Sequence, residues 1–382
     1  MHTMRLRSRT LYGFLALLTL LAFLLGSWFW GRTEEYHPRL LVSFPWTEGD
    51  FAPAVTAGGM LYGPRTFALG PDGSIVVADS NSGSLLIFDQ EGRYLGRSQV
   101  PVNGRIQWDD MVITEDGRIY LVNNAKPAID VIDIPGGPLT KSSGVRAIPR
   151  TSAWQESARH IATVADFQSD EVQNRNAFAA ELDSGKVVRL EALAPWAGKL
   201  FFSLLEIDRQ KYTRKLFLLE RLQQARPVLE YEIRPDSAAN RKPGSEMMFH
   251  TLAVSGRGEL YLDVSQSGSF DRELVKMSAD GKIEESMRLP LDQWPRSFDL
   301  LGVDRAGAIY AGVNLGTESG FIRKYDAAGR LIWQVSAPQQ EKVHTNTWAR
   351  IDDRGSIYLF KPSQQGIQIE KWELTTNFNI LP

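Results

Sequence analysis

One stretch of this chain is repeated five times. Phe67 to Val77 aligns position for position with Met111 to Leu121, and further copies run from Leu252 to Leu262, Leu301 to Ala311 and Ala349 to Leu359. Each copy is a short apolar strand, a polar turn ending in Gly and a second alternating strand, which is the pattern of a β-hairpin. A third strand closed by a polar turn follows downstream: Leu85–Phe88 before Gly92, Leu274–Met277 before Gly281, and Phe321–Tyr325 before Gly329. A fourth comes after it, as in Leu331 to Val335. Such a unit cannot bury its apolar faces alone and must stack on its neighbours. Four antiparallel strands per unit is the blade of an all-β fold, the β-propeller.

The spacing of the hairpin glycines counts the blades. Gly73, Gly117, Gly258, Gly307 and Gly355 are separated by 44, 141, 49 and 48 residues. The long step equals three ordinary ones, so two worn blades are expected between Gly117 and Gly258. Their candidate strands are His160 to Ala165 with Ala177 to Leu182 and Lys186 to Leu190, then Leu200 to Ile207 with Lys215 to Arg221 and Val228 to Ile233. The expectation is a seven-bladed propeller, or a six-bladed one if one of these segments is an elaborated insertion. The last unit, Trp348 to Leu374, stops after three strands, whereas Pro38 to Phe44 is a lone strand with no blade of its own. If it supplies the missing outer strand, first and last blades share a sheet and the ring closes without free edges.

Residues Gly63 to Asp79, continuing through Leu86 to Asp89, resemble an NHL repeat, and the copies at Gly117, Gly258, Gly307 and Gly355 resemble it too. The resemblance implies a propeller used mainly to bind proteins or ligands, and sometimes a scaffold for a lactonase or a lyase. Leu182 to Val188 and Tyr325 to Trp333 are similar to quinoprotein-type repeats. That class includes quinone-dependent enzymes and catalytically silent assembly scaffolds of the bacterial envelope. The calcium cage of lactonase-type propellers uses a glutamate for which no counterpart is placed here. A protein- or ligand-binding scaffold is therefore the expected function, with a lactonase-like or quinone-dependent enzyme as the alternative.

Ahead of the repeats, Leu11 to Trp30 is twenty residues without a charge, long enough to span a hydrocarbon core of roughly 30 Å. Arg5, Arg7 and Arg9 precede it, while Arg32 is followed at once by Glu34 and Glu35. The positive-inside bias then keeps residues 1–10 in the cytoplasm and sends the rest outside. Bulky Trp28, Phe29 and Trp30 occupy the place where a signal peptidase needs small side chains, and they suit a membrane–water interface. The expected organisation is a stub over 1–10, a transmembrane anchor over 11–30, a tether over 31–37 and a propeller over 38–382. The chain is thus expected in the cell membrane as a single-pass protein. Its partners would be the bilayer, through residues 11–30, and an envelope or membrane protein. A net charge of −2 provides no field for a phosphate backbone, so no nucleic acid is expected. The absence of Cys excludes thiol catalysis, Cys-ligated zinc and iron–sulfur clusters.

In a propeller the inner strand of each blade lines the central channel, and residues just before it ring one mouth. Eight positions before the hairpin glycines stand Arg65, Asp109, His250, Asp299 and Thr347, and three positions further upstream a second layer adds Arg296 and His344. Opposed charges around a cavity suit a polar ligand or a carboxylate-bearing peptide. Asp109 and Asp299 with His250 have the chemistry of hard-cation ligands, although water-facing polar side chains are the ordinary lining of such a channel. No metal site, catalytic residue or cofactor is assigned. The carboxylates of Asp72 and Asp116 recur with the turns and read as turn formers. The cluster Lys211 to Lys215 reads as a solvated loop between strands.

Overall fold

The computed structural model describes residues 17–19, 32–46, 54–55, 61–100, 108–124, 128–132, 158–163, 186–196, 199–208, 211–221, 224–233, 252–264, 271–278, 282–292, 295, 297–314, 320–337 and 345–378. The five repeat glycines are the first confirmation of the pattern. Gly73, Gly117, Gly258, Gly307 and Gly355 all adopt φ between 77° and 87°, left-handed values that cost a side-chain-bearing residue energy. The turns share one bonding scheme. Gly117 N donates to Thr114 O at 2.9 Å and Thr114 N to Arg118 O at 2.9 Å, and the same pair recurs at Asp304–Gly307–Ala308 and Asp352–Gly355–Ser356. Asp72 accepts from the backbone of Ser74 at 3.0 Å, as a turn-forming carboxylate does.

Six four-stranded antiparallel sheets result. From inner to outer strand, blade 1 is Thr66–Leu69, Ile75–Asp79, Ser84–Phe88 and Tyr94–Gln99. Blade 2 is Trp108–Ile113, Ile119–Asn123, Ala128–Ile132 and Ala158–Thr163. Blade 3 is Lys186–Trp196, Lys199–Asp208, Lys211–Arg221 and Gln224–Ile233. Blade 4 is Leu252–Val254, Leu260–Asp263, Arg272–Met277 and Ile283–Leu289. Blade 5 is Ser297–Val303, Ile309–Asn314, Gly320–Tyr325 and Leu331–Ser336. Blade 6 is Ala349–Ile351, Ile357–Pro362 and Gly366–Phe378, and its outer strand is Arg32–Pro45 from the other end of the chain. The expected closure of the ring by the N-terminal strand is therefore present.

Among the described residues the count is six, the expected alternative, and not seven. The segment expected to begin an extra blade, around His160, is the outer strand of blade 2: Ala158 to Thr163 pairs with Ala128 to Ile132. Lys186 to Leu190, assigned to the same extra blade, starts the inner strand of blade 3 and pairs with Leu204 to Asp208. Ala177 to Leu182 lies outside the described residues. The 141-residue step holds fewer blades than its length suggests because the strands and connections there are longer than in the other repeats. Blade 3 uses strands of 10 or 11 residues, and blade 2 has 25 residues between its third and outer strands.

Both faces of each blade are buried, and this explains why inner and middle strands read as continuous apolar runs rather than strict alternation. Val76, Ala78, Leu85 and Ile87 of blade 1 pack on Met111 and Leu121 of blade 2, while Phe67, Val77 and Leu86 of blade 1 pack on Val42, Phe360 and Ile367 of blade 6. Similar layers join blades 2 and 3, 3 and 4, and 4 and 5.

The chain divides into two compact units, Leu40–Lys371, which holds the propeller, and Met1–Arg39 with Trp372–Pro382. In the smaller unit the strand begins at Arg32, within the stretch expected as tether, and Thr375 Oγ1 donates to Glu35 O at 3.2 Å. Most of the expected anchor lies outside the described residues; residues 17–19 are helical, with Leu17 and Leu18 exposed. Among the described residues no helix is long and apolar enough to cross a membrane.

Candidate functional site at the head of the inner strands

Three of the five residues picked out by repeat position are brought together. Arg65 stands just before the inner strand of blade 1, and its Nη1 lies 3.0 Å from Asp109 Oδ1 of blade 2. Its Nη2 donates to Asn346 Oδ1 at 3.1 Å, and Asn346 Nδ2 in turn donates to Asp109 Oδ1, closing a triangle between blades 1, 2 and 6. Asp109 Oδ2 accepts from Asn124 Nδ2 at 2.8 Å, and Asn124 reaches blade 3 by donating to Leu190 O and accepting from Leu190 N. Thr347 joins through its hydroxyl, 2.8 Å from that of Thr66, while Asn346 N and Thr347 N both donate to Arg65 O. Arg65, Asp109, Asn346 and Thr347 are all buried.

Local backbone geometry explains how Asp109 gets there. Trp108 pairs with Asn123 and Asp110 with Val122, so Asp109 is the extra residue of a β-bulge, a device that re-aims a side chain. A second bulge explains why Asp299 does not join. In blade 5 Leu300 pairs with Ala311 and Gly302 with Tyr310, leaving Leu301 as the extra residue. The slip moves Asp299 one step along the ladder, level with Asp110 and Thr66 rather than with Arg65. There it accepts from Trp348 Nε1 of blade 6 at 3.0 Å. Asp109 and Asp299 are thus engaged by different partners rather than paired as a cation site. Among the described residues no group of three or more His, Asp or Glu side chains is placed to hold a metal ion. His250, Arg296 and His344 lie outside the described residues.

Below this layer sits a cation that repeat position did not select. Arg350, on the inner strand of blade 6, reaches past blade 1 to blade 2: Nε donates to Phe67 O of blade 1 at 3.3 Å, and Nη2 to Met111 O at 3.0 Å and to Asp110 Oδ1 of blade 2. Asp110 Oδ2 accepts from Leu193 N of blade 3 at 2.9 Å, so one carboxylate ties Arg350 to a third blade. The signal was present in the repeats. Five positions before the glycines stand Ala68, Val112, Ala253, Gly302 and Arg350, four small or apolar residues and one guanidinium. At the same end of blade 1, burial pushes the Asp79 carboxyl up from its ordinary range, against the pull of its bonds to Ser82 and the backbone of Asn81 and Ser82.

The cluster Lys211 to Lys215 is strand, not loop. Arg214 is buried and makes two bonds to Glu191, at 2.6 and 3.1 Å, and Lys215 pairs with Glu206 at 3.1 Å. Glu191 is itself the extra residue of a bulge between Leu190 and Ala192.

Fold and inner-strand geometry together define a closed six-bladed β-propeller with a polar clasp joining the heads of adjacent inner strands. No family profile matches the chain and no curated protein matches it. Solved structures with a similar outline include a luciferin-regenerating enzyme, at 11% identity and TM-score 0.49 over 88% of this chain and 95% of that one. A streptogramin B lyase matches at 11% identity and TM-score 0.45 over 91% and 99%. A gluconolactonase from Xanthomonas campestris matches at 13% identity and TM-score 0.46 over 88% and 99%. These figures describe an outline of the fold and nothing finer.

Proposed function

We propose that the protein is a membrane-anchored, extracytoplasmic propeller that binds a ligand or a partner protein at the mouth where its inner strands begin. The observation that carries the reading is the convergence there of polar groups from blades 1, 2 and 6, namely Arg65, Asp109 and Asn346, with the Asp299–Trp348 pair of blades 5 and 6 one step along the ladder. Recognition sites place a few fixed polar groups in a concave, mostly apolar surround, and bonds between blades hold these groups before any ligand arrives. The described carboxylates there each accept bonds from the protein itself, which suits a positioning role better than proton transfer. Thr345, half-exposed beside the clasp, offers the vantage for a test. A photo-crosslinking residue at Thr345 of the full chain, in its own membrane, is expected to capture a neighbour that the same residue at exposed Tyr94 does not. Identical captures from both positions would remove the mouth from consideration.

An enzyme of lactonase-like or quinone-dependent type is the second reading. Three buried carboxylates on inner strands, Asp109, Asp110 and Asp299, are the observation in its favour. Stoichiometric calcium or a quinone chromophore in the purified protein, together with hydrolysis of a lactone that Asp110→Asn abolishes, would establish it over binding.

A further inference from the structure

The outer strand of each blade is the last of its sheet among the described residues, so its far edge offers backbone N–H and C=O groups to whatever comes alongside. Folded proteins shield such edges with charges or proline inside the strand. Five of the six outer strands follow that rule: blade 1 carries Arg97, blade 2 Arg159, blade 3 Pro227, blade 4 Glu285 and blade 6 Pro38. Blade 5 does not. Its outer strand, Leu331 to Ser336, holds neither a charge nor a proline. It is also the most apolar edge in view, with Leu331 and Ile332 43% and 53% exposed and Trp333 and Val335 half-buried. The flanking cation, Arg330, is held in the preceding turn by Asp326 at 2.6 Å.

The ladder decides which groups this edge presents. Ala337 N donates to Gly320 O at 2.8 Å, Val335 pairs with Ile322, and Trp333 pairs with Lys324. Alternate residues of an antiparallel strand bond to the same side. Trp333, Val335 and Ala337 therefore turn their N–H and C=O groups inward, and Gln334 and Ser336 turn theirs outward. A bulge at Ile332 bounds this outward pair on one side, and Pro338, which has no N–H, bounds it on the other. Donors and acceptors at alternate residues along one edge are what an added extended strand binds. A helix, with its backbone groups bonded internally, cannot answer them.

We propose that this edge is a dimerisation surface, on which a second copy of the chain adds its own blade 5 outer strand antiparallel to the first. In the register with Val335 on the twofold axis, Gln334 of each copy lies opposite Ser336 of the other, and the outward backbone groups of both residues are satisfied without calling on the bulged Ile332. A strand that pairs with its own image must not set like charges against each other, which is destabilising across a ladder. Blade 5 meets that condition in every register, because the strand has no charge to oppose. Apolar side chains beside the axis add burial on both faces of the joined sheet. A strand this short buries little area, so the dimer is weak and reversible.

Val335→Cys tests the register in a chain that has no other cysteine. Opposed residues of a non-hydrogen-bonded pair stand about 4.5 Å apart at Cα, within the span of a disulfide. Mild oxidation of the full chain should therefore give several-fold more covalent dimer than Gln364→Cys, placed at an exposed bend of blade 6. A charge exchange tests the contact with the fold held constant. Gln334 Oε1 accepts from Arg323 Nε at 2.7 Å, a bond that Gln334→Glu preserves. Combined with Ser336→Glu, it sets like charges opposite each other, and sedimentation of the full chain in detergent should show the dimer lost. Combined with Ser336→Lys, it sets opposite charges there, and the dimer should return and weaken in high salt. A wild-type chain that stays monomeric at every concentration overturns the proposal. So does a dimer that Gln334→Glu with Ser336→Glu leaves intact, or a Val335→Cys chain that couples in cells to a different protein and never to a second copy.

Discussion

Trp348 of blade 6 donates its indole N–H to Asp299 of blade 5 at 3.0 Å, and its ring lies against Gly312, the residue opposite Asp299 in the ladder. A Cβ on Gly312 would stand 2.4 Å from Trp348 Cζ2. The missing side chain is what lets the ring lie flat between two blades and set the position of the carboxylate. Gly312→Ala should therefore cost about 1–3 kcal/mol through overpacking, read as a fall in the urea midpoint. Gly96→Ala is the comparison, because a Cβ there meets nothing within 4 Å and Ala is favoured over Gly in a strand by roughly 0.5–1 kcal/mol. Equal midpoints for the two variants would contradict this account of the junction.

The pair Arg214–Glu191 is a test of how blade 3 tolerates charge. The side chains are 5% and 6% exposed and joined by two bonds. Removing one partner leaves the other buried and uncompensated, a loss of about 3–5 kcal/mol in such pairs. Arg214→Ala is expected to fall in that range, whereas Arg214→Met combined with Glu191→Leu should recover most of it. A double variant no more stable than the single one would show that the pair contributes through something other than mutual neutralisation.

Much of this architecture was legible because it depends on local chemistry. Turns that require a left-handed residue carry Gly, and strands buried on both faces carry uninterrupted apolar residues. What was not legible depends on where extra residues are accommodated. Counting eight back from a glycine presumes an unbulged strand, so it placed Asp299 beside Arg65 when the bulge at Leu301 had moved it to the level of Asp110. Strand length hid the number of blades in the same way. Tyr212 to Leu219, which reads as a basic loop giving way to an apolar strand, is one continuous pairing with Leu200 to Ile207. Asn124 and Asn346 carry no periodic signal, since their roles depend on neighbours from other blades. Arg350 was within reach, as the odd residue in an otherwise small and apolar column.

Glu259 and Lys276 give the fold a predictable response to acid. Lys276 Nζ lies 2.6 Å from Glu259 Oε1. That bond lowers the Glu259 pKa below its ordinary 4.5, against burial and with help from Ser255 and Tyr261, and the same bond raises Lys276 above 10.5. A lowered carboxyl contributes stability above its unfolded value and loses it as pH falls through the folded one; a raised ammonium contributes below its unfolded value and loses it only as pH rises through the folded one. The pair is at full strength between those limits. Glu259→Gln should lower Tm at pH 7, and the gap from wild type should narrow progressively as pH falls below the ordinary carboxyl value of 4.5. A gap that stays constant down to pH 3 would rule out the linkage.

The closure of the ring can be separated from the chemistry of its turns by two glycines of almost the same conformation. Gly307 has φ +87° and a Cβ there would meet only Ala327 Cβ, at 3.5 Å, so alanine incurs little beyond the left-handed backbone cost of roughly 1–2 kcal/mol. Gly92 has φ +80°, and a Cβ there would lie 1.9 Å from the carbonyl oxygen of Leu41. That oxygen belongs to the strand that completes blade 6 from the far end of the chain. Backbone cannot swing aside as a side chain can, so Gly92→Ala has to push the closing strand away from blade 1. It should be the less stable of the two variants, and limited proteolysis should cut near Leu40 to Pro45 sooner than in Gly307→Ala. Equal midpoints and equal cleavage would mean that contacts between blades 1 and 6 nearer the axis, Arg65 with Asn346 and Thr66 with Thr347, hold the ring shut without that strand.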